Sequence, residues 1–175
     1  MKVYNKFFSS RGKKMFREAI GDVLSGQINK PELSMEACKD LIYLISRINA
    51  EESLDSLVAF AGEAKPQDEN LYSTIAVLND FKPSKKVYEV TEKLANSSNF
   101  NEGYLFEVIG LLVESQPSNT QDILGRFEER TKKLWNSLQD IVEEKNAFLE
   151  AKDDCFERVS RIADVTQYKS FFDNL

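Results

Sequence analysis

Histidine is absent from all 175 residues, and that one omission removes most of the chemistry an enzyme performs near neutral pH. Imidazole is the side chain that ordinarily titrates there. Its absence excludes His-based general acid–base catalysis, Ser-His and Cys-His nucleophiles, and the usual histidine metal ligands. Cys38 and Cys155 are far apart in sequence, each within an apolar helical stretch, and show no metal-ligand spacing. They read as reduced core thiols serving as small hydrophobes. The seven glycines occur singly, so no phosphate-cradling loop is present. Gly110, inside an apolar helical run, reads as a position that lets two helices approach closely.

Carboxylates are what remain. Glu143, Glu144, Glu150, Asp153, Asp154 and Glu157 crowd one segment, with Lys145 and Lys152 interleaved. Such clusters hold Mg²⁺ only where several oxygens converge on one point. Glu150-Ala151-Lys152-Asp153 resembles half of the metal-binding pattern of the all-α nucleotide pyrophosphohydrolases. That resemblance implies a Glu-x-x-Glu pair upstream, where this chain has Glu128-Glu129 followed by Lys132 and Lys133. With the pair missing, we expect no catalytic residue, no metal and no cofactor. Glu143, Glu144, Glu150, Asp153 and Asp154 are expected to form a solvated acidic face available to a partner. Trp135, the only tryptophan, adjoins Leu134 and Leu138 and reads as core packing, with an interface anchor as the alternative.

The net charge of −6 is unevenly distributed. Residues 1–17 carry Lys2, Lys6, Arg11, Lys13, Lys14 and Arg17 and no acid, so the other 17 bases face all 29 acids. An acidic body lacks the basic footprint that duplex nucleic acid requires, and it attracts a basic protein instead. The basic patch of Lys6, Arg11, Lys13, Lys14 and Arg17, with Phe7, Phe8 and Phe16 among it, admits an anionic membrane or RNA contact. The blander reading is that the aromatics cover the end of the helical body while the bases face water. No apolar run reaches the length of a membrane span, and Asn5 and Lys6 interrupt any signal-peptide core. A cytoplasmic protein is expected.

These residues must be positioned by helices, because no period-2 strand pattern is sustained. Pro31, Pro66, Pro83 and Pro117 separate apolar helical stretches, as expected where the ring forbids continuation. The spacing predicts helices over about 12–24 (Met15, Phe16, Ala19, Ile20, Val23, Leu24), 34–49, 51–61, 68–79, from Pro83-Ser84 through Leu94, and 101–114. Ser118 with Gln121 reads as a capping box for the next helix.

From Thr120 to Asp164 no proline occurs. Steps of four and three from Phe127 pass through Thr131, Leu134, Leu138, Ile141, Lys145, Phe148, Lys152, Cys155, Val159 and Ile162, a seam that must lie against another helix. Two forms are open: one rod of about 45 residues, roughly 65 Å long, or a hairpin broken near Asp153, where Asp153 or Asp154 would cap a second helix. The break is the favoured form. Tyr168, Phe171 and Phe172 would then pack on the body.

Leu41–Ile48, Leu71–Leu78 and Leu105–Leu112 repeat one apolar pattern, with Ile45, Ile75 and Ile109 in register. Over about residues 34–130 the chain resembles HEAT-type α-solenoid hairpins, a resemblance that implies a stack of helix pairs binding another protein and carries no catalytic residue. The expectation is therefore an all-α single domain: stacked antiparallel helical hairpins over 1–117, then a long helix or hairpin over 118–175. Its function would be non-catalytic protein binding. The alternatives are an immunity- or antitoxin-type inhibitor of a basic toxin or nuclease, an all-α carboxylate/Mg²⁺ nucleotide hydrolase, and a membrane or RNA adaptor. The seam can close within one molecule or in a homodimer through the C-terminal helix.

Overall fold

A computed structural model describes residues 68–98, 100–138, 142–164 and 169–173, together with Met15, Ala37, Asp40, Leu41, Tyr43, Leu44, Glu51, Leu54, Asp55 and Val58. These residues are mostly helical and include no strand, so the all-α expectation holds. None of the described helices is long and apolar enough to cross a membrane. The chain divides into two compact units, Met1–Phe81 and Lys82–Leu175. The boundary falls between Phe81 and Lys82, just before Pro83.

In the first unit the continuous element is α1, Asp68–Asp80. Leu71, Thr74, Ile75, Val77 and Leu78 are buried and Tyr72 is exposed, the one-sided stripe expected of an amphipathic helix. Leu54 is fully buried, as its place in the 51–61 pattern requires. Met15 departs from expectation: it is helical but 60% exposed, off the apolar stripe to which its spacing assigned it. Most of the predicted helices over 12–61, the basic N-terminal patch and Cys38 lie outside the described residues.

The second unit is built around one enclosed helix. Helix α2, Lys85–Ala95, starts at Ser84, whose extended backbone lets its hydroxyl accept from the Val87 N–H at 3.2 Å. Val87, Tyr88, Val90, Thr91, Leu94 and Ala95 form its buried face. The predicted 101–114 helix resolves into a 3₁₀ turn, Glu102–Tyr104, followed by α3, Leu105–Ser115. Asn101 Oδ1 accepts from Gly103 N–H at 2.9 Å and holds that turn. Leu105, Phe106 and every residue from Val108 to Val113 are buried, so α3 is apolar nearly all round. Such a helix must be surrounded, and α2, α4 (Thr120–Ser137) and α5 (Val142–Ser160) all pack against it.

Two local expectations are corrected here. The Ser118–Gln121 capping box does not form. Pro117–Asn119 is a 3₁₀ turn, so Ser118 sits within it and not at an extended N-cap. Thr120 Oγ1 instead donates to Pro117 O at 2.7 Å, and Asn119 Nδ2 donates to Gln116 Oε1 at 2.7 Å. Nor does the chain break near Asp153 or run as one rod. Helix α4 ends at Ser137, with Leu138 N–H closing a turn on Trp135 O, while Asp153 and Asp154 are exposed in the middle of α5. An aspartate that would cap a helix start is equally content on the solvent face of a helix whose apolar stripe continues on both sides. Here Phe148, Cys155 and Val159 are that stripe.

The predicted seam is found in part: Leu134, Leu138, Lys145, Lys152 and Ile162 are half-buried, and Ile141 lies outside the described residues. Phe127, Thr131, Phe148, Cys155 and Val159 are buried, in two lengths that lie on α3 in place of one. Thr131 tolerates burial because its hydroxyl donates to Phe127 O and Glu128 O. The short α6, Lys169–Asp173, buries Phe171 and Phe172 as expected, with Phe172 edge-on to Phe156 at 5.1 Å between ring centroids. Lys152 Nζ donates to Phe172 O at 3.3 Å.

Candidate functional site

The junction of α3 and α5 is the most chemically varied part of the second unit, and a glycine makes it. A Cβ built on Gly110 would lie 2.8 Å from Arg158 Cδ and 3.1 Å from its Nε. Only a missing side chain lets the guanidinium cross α3 there and donate to both oxygens of Glu114, through Nε at 2.5 Å and through Nη2. The close approach foreseen at Gly110 is thus the approach of an arginine stem.

Beside this pair, Cys155 is 3% exposed, and burial pushes its thiol up to about 12, with Arg158 opposing the shift. A thiol held neutral in this way is no nucleophile. Glu107 is half-buried on the same side of α3. Its Oε2 is sealed from solvent and has no hydrogen-bond partner. Desolvation pushes the Glu107 carboxyl above the ordinary glutamate value, a hydrogen bond from its own backbone N–H and then the charge of Arg158 pull it back, and Asp154 adds to the rise. These groups border a cavity of about 200 Å³ between α3 and α5.

A second cavity, of about 340 Å³, opens beside it and is mainly apolar. Phe106 supplies its floor from α3, Leu134 and Leu138 its wall from the end of α4, and Phe148 and Ala147 its wall from α5. Phe106 and Phe148 meet edge-on at 5.0 Å between centroids, and Trp135 leans on Phe148 at 5.1 Å. Lys145 Nζ caps the outer face of the indole, 5.2 Å from its centroid. Phe106 and Ala151 line both cavities, so the two form one groove along α3 and α5. Small residues, Ala147 and Ala151 on α5 and Gly103 at the mouth, give it depth.

The residues marked from sequence fall around this groove in different ways. Glu144 lines its apolar half and Asp154 its polar half. Glu143 and Glu150 are exposed on the α5 face flanking it, since steps of seven and four residues return to nearly the same side of a helix. Asp153 is exposed further round α5, away from the groove. Trp135 is half-buried, part of the groove's support. Among the described residues no group of three or more carboxylates, cysteines or histidines converges on a point that would hold a metal.

Two residues of the candidate site carry no mark in the sequence analysis. Glu107 carried a signal, a lone carboxylate within the apolar run Leu105–Val113, and Arg158 carried none, because its partner Glu114 is 44 residues away. No family model matches the chain, and neither a curated protein nor a solved structure matches it.

Proposed function

We propose that this protein is a non-catalytic protein-interaction module that presents an acidic helical surface to a basic partner. The observation that carries the reading is the groove of Phe106, Leu134, Leu138 and Phe148, apolar within and edged by Glu144, Glu107 and Asp154. An apolar centre with a charged rim is the usual anatomy of a recognition surface. The HEAT-like repeat belongs to this proposal as the scaffold, supported by consecutive helices α2, α3 and α4 that pack in sequence order. A cytoplasmic setting belongs to it as well.

The same carboxylates favour one sharper variant, an immunity-type inhibitor that masks a basic toxin or nuclease, because charge steering accelerates such associations. The test is affinity capture by the full chain from its source cells, repeated with Glu143, Glu150 and Asp154 all changed to lysine. A stoichiometric basic protein that the wild type retains, and that is lost from the variant and in high salt, supports the reading. A chain recovered alone, with nucleotide turnover in Mg²⁺, overturns it.

A further inference from the structure

We infer that the α3–α5 groove is a two-part receptor for a basic segment of another protein: a large apolar side chain enters between Phe106, Leu134, Leu138 and Phe148, and a lysine or arginine one helical turn along reaches Glu107 and Asp154. The inference rests on the interaction-module reading and adds to it the chemistry of the occupant.

The apolar half is open, and its walls are aromatic and leucine side chains already held in place by Trp135 and by the core of α3. Anchor residues bind best in preformed apolar pockets of this kind. The polar half is electrically unbalanced. Among the described residues that line it, the one cation, Arg158, is already paired with both oxygens of Glu114. Glu107 and Asp154 are therefore left to set its sign, and Glu107 holds an oxygen that accepts from no donor. A cation arriving from outside would supply that donor, as a charge-assisted hydrogen bond in a partly desolvated site.

The spacing between the halves follows from the helix. Ala147 and Asp154 are seven residues apart on α5, about 10 Å along its axis. One helical turn of a partner plus an extended lysine stem covers that span. An acidic or purely apolar segment would leave the Glu107 Oε2 without a donor, so charge complementarity selects a basic one. A second copy of the chain is a competing occupant, which the test separates.

The experiment is selection of a random linear peptide library on the immobilised full chain, followed by titration of one enriched, tryptophan-free peptide against Trp135 emission. Enriched peptides should carry a large apolar residue with lysine or arginine three or four positions away. Ala147→Phe fills the apolar half from an exposed position and should weaken binding by at least about tenfold with melting unchanged. Glu107→Gln should weaken a lysine-bearing peptide by roughly tenfold, the cost of one charge-assisted hydrogen bond. The same variant should leave the affinity of that peptide's lysine-to-methionine version unaltered.

The inference fails if nothing is enriched over bare support, if enriched peptides lack a base, or if they bind both variants as they bind the wild type. It also fails if light scattering shows a dimer that Ala147→Phe dissolves, since a second copy would then be the occupant. In each of these cases salt-sensitive capture of a basic protein through Glu143, Glu150 and Asp154 would still leave the broader reading standing.

Discussion

Changing Gly110 to alanine tests whether the glycine exists for Arg158, because two opposing effects can be assigned their sizes. In the interior of a helix, alanine is favoured over glycine by about 1 kcal/mol. Against this, the new Cβ would lie 2.8 Å from Arg158 Cδ and 3.1 Å from Nε and Nη1, so the arginine must leave its place. Its pair with Glu114, in which the two side chains are 25% and 26% exposed, would be lost or bent. Hydrogen bonds to a charged group contribute about 1.5–3 kcal/mol, and partial exposure favours the lower end, about 2 kcal/mol. The loss exceeds the gain, and Gly110→Ala should destabilise the unit by roughly 1 kcal/mol. In an Arg158→Ala background the obstacle is gone and only the helical preference remains, so the same change should stabilise by about 1 kcal/mol. The two backgrounds thus differ by about 2 kcal/mol, well above the scatter of independent sites. Urea unfolding followed at Trp135, the only tryptophan, reads this unit alone. Equal effects in both backgrounds would refute the argument, as would a wild-type chain made more stable by the alanine.

Arg130 donates to both oxygens of Glu102, at 3.2 and 2.8 Å, and to Ala95 O at 2.9 Å, with its guanidinium 5.2 Å from the ring centres of Phe100 and Phe127. Lysine cannot reproduce that planar fork, so Arg130→Lys should cost about 1–2 kcal/mol in the same urea assay, and a neutral outcome would deny the clamp its role. Cys155, its thiol raised to about 12 by burial, should resist alkylation in the folded Cys38→Ser chain and react fully in denaturant; rapid labelling of the native form would contradict its placement. The Glu107 carboxyl is raised, first by desolvation, so the folded chain holds that proton more tightly than the unfolded chain does. Ionising it therefore weakens the fold above its folded pKa, and the penalty is relieved as pH falls through that value towards the ordinary 4.5. Glu107→Gln should then stabilise at neutral pH by an amount that shrinks in acid, and a gain independent of pH would remove Glu107 as its source.

What could be read from the sequence was what local chemistry decides. The apolar spacing in Leu71–Leu78 and Val87–Leu94, with Pro83-Ser84 between them, placed α1 and α2 closely, because a proline and a capping serine act on their own neighbours. The density of Leu105–Val113 likewise marked a helix needing cover on most sides. The end of α4 at Ser137 left no comparable mark. It has neither proline nor glycine, only Ser137, whose hydroxyl donates to Leu134 O at 2.7 Å and competes with the backbone ladder. What α5 packs on is set instead by Phe148 reaching Phe106 and Trp135, contacts across 42 and 13 residues that no periodicity reports. Asp153-Asp154 misled for the converse reason, since a capping preference is weak and a continuing apolar stripe overrides it. The groove was illegible because its walls come from three helices, and only its acidic edge was visible as a run of charge.

That acidic edge follows from where the arginines went. Arg126 ties α4 to α2 through Glu92 and the Tyr88 hydroxyl, Arg130 ties α4 to the turn before α3, and Arg158 ties α5 to α3. Each is a guanidinium working across helices, where a planar fork holds two elements at once. Lys85 and Lys132 pair within their own helices, with Glu89 and Glu128. These three arginines serve at junctions, Arg161 pairs four residues back with Glu157, and Glu143, Glu150 and Asp154 are left without an ion-pair partner among the described residues. Like charges four residues apart, as at Glu150 and Asp154, cost a helix a few tenths of a kcal/mol. An arginine or lysine at position 147 would have offset that cost by pairing with Glu150 three residues on, and an alanine stands there, lining the groove. A stripe of that kind is tolerable in the free chain, and a basic surface would relieve its repulsion, which is the charge complementarity on which the proposed partner rests.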